Sequence, residues 1–261
     1  MSDQSAEGAG NIEPRPADPE ARGVRLVVVL LSLTVVSGLI DAVSYLGLGH
    51  VFTANMTGNV VVLGFAAAGA PGFSIPHTST SLAFFLAGAA AGGRIAGRYG
   101  GGSRRTWARV TLVAETVFVG VSAVVAFVAP GATATTYTLI ALTAFAMGLR
   151  NATVRKLGVP DLTTTVLTMT LTGLASESAV GDGSGHRSPR RTAAVIAMLA
   201  GAALGAWLVI HHGLGIPLLL AAVLAGVLAV ATSGRAAVTV TDPGGATAGR
   251  FRRGARCTAL R

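Results

Sequence analysis

The sequence predicts an all-α, polytopic transmembrane helical bundle of six full spans plus two short or re-entrant helical hairpins, and three observations carry that prediction. Hydrophobic residues make up 51% of the chain and charged residues only 12%, with a mean hydropathy of +0.64. The 35 glycines exceed what a soluble domain of this size carries, as expected where helices pack closely in lipid. Six segments are apolar over about the 20 residues a helix needs to cross a hydrocarbon core.

Residues 1–24 hold five acidic groups, several prolines and almost no large apolar side chains. They cannot bury enough surface to offset their ordering entropy, so they read as a disordered cytoplasmic tail. The apolar run opening at Leu26 lacks the basic start of a signal peptide and is long enough to span, so it reads as a retained anchor. The transmembrane domain is expected over 25–232, with spans near 26–46, 80–98, 107–129, 133–150, 192–211 and 214–232. Residues 233–261 form a second, basic, disordered cytoplasmic tail that contains the single cysteine, Cys257, so no intramolecular disulfide can form.

Two segments, 51–69 and 162–178, fit neither a span nor a loop. The first opens "VFTANMTGN"; the second, "LTTTVLTMTLTGLASES", has six threonines and a glutamate in 17 residues, about 26 Å if helical. The positive-inside rule arbitrates. With both segments re-entrant and the N-terminus inside, all 20 Arg and Lys residues face the cytoplasm, including Arg94 to Arg109 and the group Arg150, Arg155 and Lys156. If both cross fully, eight of the 20 move outside. Both termini are therefore expected in the cytoplasm, and the net charge of +9 reads as loop placement rather than nucleic-acid affinity.

The chain repeats weakly at about 110 residues: "GLIDA" at 38–42 aligns with "GLRNA" at 148–152, and Thr53 and Thr57 with Thr164 and Thr168. The half-repeats lie at about 26–129 and 133–232. Three full spans per half make the halves inverted copies, an arrangement in which secondary transporters and some channels build a site near the midplane.

The run "GLIDAVSYLGLGHVFTANMTGN" resembles the YoaK-type family of bacterial inner-membrane proteins, a domain-of-unknown-function family with a similar Asp-Ala-Tyr-Leu stretch followed by Asn-Met-Thr-Gly-Asn. Asp41, Tyr45, Asn55, Thr57, Gly58 and Asn59 match it, and the resemblance covers residues 25 to 232. It implies a multi-pass protein of the inner membrane and brings no biochemical role with it.

A carboxylate in hydrocarbon must be paired, hydrated or protonated, so Asp41, in the outer part of the first span, is a candidate for cation or proton binding; an interfacial cap is the alternative. Asn55 and Asn59 share a helix face, with Thr57 between them. They can line a pathway or satisfy backbone groups freed by a break. The inner counterparts are Thr164, Thr165 and Thr168. Glu115 is expected to bond a neighbouring helix or pair with Arg94 or Arg98, with proton carriage as the alternative. Gly88, Gly92, Gly93, Gly97, Gly201 and Gly205 fit small-residue helix packing, with a homodimer interface as a second use. His211 and His212 are adjacent and diverge by about 100° on a helix, a poor chelate, so no metal site is expected.

Enzyme chemistry has little support. Ser122 in "GVSA" has no histidine within a span to activate it, and no phosphate-binding glycine loop is present. No cofactor is implied, and the bilayer is the expected partner. The leading expectation is a transporter or channel-like permease for a small polar solute or cation. The alternative is a scaffold, sensor or partner subunit whose polar motif only stabilises a broken helix.

Overall fold

A computed structural model describes residues 24–99, 104–157, 167–178, 181, 183 and 188–231. The two tails, apart from Val24, lie outside these residues, as do Thr164 and Thr165. The described chain folds into eight helices and no strand: α1 (Val24–Gly47), α2 (Met56–Ala67), α3 (Ile75–Tyr99), α4 (Arg104–Val128), α5 (Thr133–Leu157), α6 (Leu167–Ser176), α7 (Ser188–His212) and α8 (Gly215–Ala231).

Local chemistry sets the helix ends. α1 is a Leu/Val-rich run without proline that stops where Gly49 takes φ +87° and His50 φ +58°. The left-handed turn lets the His50 N–H reach back to the Tyr45 carbonyl at 3.1 Å, a Schellman-type closure. Gly69, with φ +80°, ends α2 in the same way, the Ala70 N–H bonding the Phe65 carbonyl at 3.0 Å. Ser74 accepts the His77 N–H at the start of α3, with Pro76 inside the first turn, where its missing N–H has no cost.

Three stretches are long and apolar enough to cross a membrane: Val27–Gly47, Trp107–Val128 and Pro189–His212. α3 and α5 are as long as α4 but carry Arg94 and Arg98, and Arg150, Arg155 and Lys156, respectively. α2 and α6, with 12 and 10 residues, measure about 18 and 15 Å, too short for a core of about 30 Å. The surface is inverted relative to a water-soluble protein. Val60, Leu86, Val124, Leu199, Ile210 and Val230 are exposed, while Ser37, Asp41, Asn59, Glu115, Thr143 and Arg150 are buried. Continuous exposed apolar surface of this kind suits lipid.

Two core clusters fix the helix directions. One gathers Leu30 and Leu33, Leu112, Val154, Ala194 and Leu228; the other gathers Val36 to Val51, Val119 to Ala126, Leu139 to Met147, and Leu218 to Ala222. α1 and α4 therefore run one way and α5 and α8 the other. α7 runs with α1, since Gly201 meets Val35 and Gly205 meets Leu39. α3 runs with α5, since His77 meets Tyr137 and Gly92 meets Leu149. The six long helices thus alternate in direction along the chain.

Glycine makes the two parallel pairs possible. A Cβ on Gly201 would strike the Val35 carbonyl, and one on Gly205 would lie 2.7 Å from the Leu39 oxygen. On the other pair, a Cβ on Gly88 would strike the Phe145 carbonyl, and one on Gly92 would lie 2.9 Å from the Leu149 oxygen. At Gly93 and Gly97 a Cβ would instead enter open space, because both point away from α5. The partners that sequence reading missed are Gly38 and Gly148, the first residues of "GLIDA" and "GLRNA". Their Cβ positions fall on the Met198 and Phe85 carbonyls.

Candidate functional site

The break between α1 and α2 is held by the residues the sequence singled out. Asp41 stands six residues before the end of α1, about 9 Å along its axis. Its Oδ1 accepts the Ala54 N–H at 3.1 Å, and the backbone N–H groups of Thr53 and Asn55 face the same carboxylate. Residues 51–55 therefore lie at the depth of Asp41, within the bundle. The carboxylate there is compensated by backbone dipoles, and it in turn satisfies N–H groups of the irregular segment inside the bundle.

Asn59, fully buried, grips the same segment from the other side. Its Oδ1 accepts the Phe52 N–H at 2.8 Å, and its Nδ2 donates to the Phe52 carbonyl at 2.6 Å and to Ser81 Oγ at 3.0 Å. Ser81, on α3, donates to that carbonyl at 2.6 Å. A primary amide holds an acceptor oxygen and a donor nitrogen side by side, so one side chain meets both the N–H and the carbonyl of Phe52, and that accounts for asparagine here. Asn55 caps α2 by accepting the Gly58 N–H at 3.3 Å and is otherwise exposed. Thr57 is exposed on α2 and does not join Asp41. On the second hairpin Thr168 is exposed too, and Thr170 is the buried threonine of α6.

A second polar centre lies deeper, where α1, α4 and α5 meet. Arg150 is only 3% exposed. Nη1 and Nη2 donate to the Leu33 carbonyl at 3.0 and 3.1 Å, and Nη2 donates to Ser37 Oγ at 3.0 Å. Nη1 also lies 3.4 Å from Oε1 of Glu115, which is completely buried. Two expectations are corrected here. Arg150 is not a cytoplasmic loop residue, because α5 continues seven residues beyond it to Leu157 and its guanidinium is satisfied inside the bundle. Glu115 pairs with Arg150 and not with Arg94 or Arg98, both of which are exposed. The clue in the sequence was the pair Arg155 and Lys156, which mark the true end of the helix.

Glu177, just past α6, pairs with the buried Arg191 of α7 at 2.6 Å, so Arg191 is another arginine drawn in from the expected loop group. His211 and His212 end α7, exposed and packed on Trp207. An open apolar groove of about 610 Å³ lies between α4 and α8, lined by Thr116, Gly120, Ala222, Gly226, Val227 and Val230. Neither Asp41 nor Asn59 reaches it.

An apolar exterior around buried ion pairs and a hydrogen-bonded helix break define a helical membrane protein. Residues 29–231 match the family described as "Protein of unknown function (DUF1275)", and the chain belongs to that family. It is also similar to the UPF0700 transmembrane protein YoaK of Bacillus subtilis (strain 168), at 34% identity over 148 residues. That match covers 57% of this chain and 64% of the relative, less than two thirds of its length. No solved structure matches the chain.

Proposed function

We propose that this chain is a transporter or channel-like permease for a small polar solute or cation in the bacterial inner membrane. It is built from six full spans and two re-entrant segments, with both termini in the cytoplasm. The observation that carries the reading is the charged centre of Arg150 and Glu115, sealed among three long helices. Ionisable groups inside a membrane bundle are costly and mark pathways for ions, protons or solutes.

The inverted repeat is supported by an exchange property of the packing. Swapping α1 with α5, α2 with α6, α3 with α7 and α4 with α8 maps the helix contacts onto one another: α1–α7 becomes α3–α5, α4–α5 becomes α1–α8, α2–α3 becomes α6–α7, and α4–α8 returns to itself. Counterpart long helices run in opposite directions, as a two-fold axis in the membrane plane requires. The re-entrant reading is supported by the depth of residues 51–55, and by α1 and α3 running in opposite directions although α2 lies between them. Glycine stripes outside the packed pairs leave room for a homodimer, and transport without covalent chemistry leaves no role for an enzyme site.

One observation favours a second reading, that of a scaffold, sensor or partner subunit. The hydrogen bonds of Asp41 and Asn59 go to the break itself, as a purely structural motif would have it. Solute uptake into proteoliposomes, over a panel of cations and small metabolites and with protein-free liposomes as control, separates the two. Uptake above the control supports the permease; none across the panel overturns it.

A further inference from the structure

Arg150 stands among more negative charge than it can balance. It lies 3.4 Å from Glu115, and Ser37, which it bonds on α1, stands one helical turn from Asp41. Asp41 has backbone N–H groups to compensate it. Glu115 has none: neither of its oxygens receives a hydrogen bond, although the residue is completely buried.

Hydroxyls on α4 and α5 are committed to carbonyls of their own helices. Thr111 donates to the Trp107 and Ala108 carbonyls, Thr116 to Leu112, Ser122 to Phe118 and Thr143 to Leu139. Among the described side chains, no further cation faces Glu115 from the helices packed on α4. α8 has no ionisable side chain, Arg94 and Arg98 of α3 and Arg109 of α4 are exposed, and Arg155 and Lys156 of α5 are exposed. Arg150 itself is tied to α1 through Leu33 and Ser37. With both carboxylates ionised, the cluster of Asp41, Arg150 and Glu115 is short by one positive charge.

We propose that Glu115 is a proton-binding site. One proton adds to a carboxylate oxygen, an O–H bond forms, no other bond changes, and the cluster becomes neutral. A metal ion fits less well, since it needs several converging donors, and among the described residues no three His, Cys, Asp or Glu side chains gather to hold one. Removing or adding this proton changes what holds Arg150 between α1 and α4, so proton binding is positioned to bias the bundle. As the coupling ion of transport this inference rests on the permease reading; as a proton site it does not.

The test is infrared difference spectroscopy of the full chain in lipid nanodiscs as pH is stepped from acidic to alkaline. The expected result is a protonated-carboxyl stretching band that shifts on deuteration, is lost in Glu115→Gln and persists in Asp41→Asn. Should Glu115→Gln fail to fold, Glu115→Asp is expected to displace the band. No such band at any pH, or a band indifferent to both Glu115 variants, overturns the proposal. The proteoliposome panel separates the two readings. A Glu115 band without uptake supports the proton site and removes the permease, whereas uptake without the band overturns the proton site alone.

Discussion

Replacing Asn59 by alanine removes the clamp on the broken segment, and its cost can be worked from the hydrogen bonds. The Phe52 N–H loses its acceptor at 2.8 Å and is left inside the bundle unpaired. The Phe52 carbonyl keeps Ser81 Oγ at 2.6 Å, so it loses one of two donors. An unpaired buried donor costs about 1–3 kcal/mol, and the two other lost bonds, to the Phe52 carbonyl and Ser81, about 0.5–1.5 kcal/mol each, which places the total at about 2–6 kcal/mol. At about 1.4 kcal/mol per tenfold, that is roughly a 30- to 20,000-fold shift toward an open segment. Thr53, fully buried next to Phe52, reports the opening. In a Cys257→Ser background, Thr53→Cys should resist a membrane-impermeant maleimide when Asn59 is present and label readily with Asn59→Ala. Asn59→Asp should loosen the segment as well, since a carboxylate cannot donate to the Phe52 carbonyl. Equal labelling rates with and without Asn59, together with an unchanged melting temperature, would refute the clamp.

Arg150→Ala should destabilise the protein by about 3–5 kcal/mol by stranding Glu115, and the double variant Arg150→Gln, Glu115→Gln should recover much of the loss, as read by unfolding in detergent. Gly148→Val should cost about 1–3 kcal/mol by forcing α3 from α5, whereas Gly93→Ala and Gly97→Ala should be neutral or gain up to about 1 kcal/mol of helix propensity; melting temperatures that rank otherwise would contradict the packing. Single cysteines at Gly72 and Arg98, again without Cys257, should label from opposite sides of the membrane, and labelling from one side would remove the alternation of the long helices.

The membrane class, the positions of eight helices and the motif that breaks the first pair were legible in the sequence, because each follows from local properties. An apolar run of sufficient length is helical in lipid wherever it packs, and "ANMTGN" contains the cap and the amide that a break requires. What those residues touch was not legible. Asp41 looked like an ion ligand because its compensating N–H groups belong to residues 53–55, which reach it only when the chain turns back into the bundle. Asn59 looked like half of a pair with Asn55, yet its partners are Phe52 and Ser81.

Arg150 shows the division most clearly. As sequence it was one of three basic residues after an apolar run, and counting charges by loop placed it in the cytoplasm. Inside the fold, the Leu33 carbonyl and Ser37 on α1 and Glu115 on α4 supply its partners, from positions more than thirty residues away. Sequence by itself determined which segments are helical and that the chain is a membrane protein, since hydropathy and capping act over a few residues. Only the tertiary structure decided which polar groups are joined in the core, because a buried charge is made tolerable by partners brought together from distant parts of the chain.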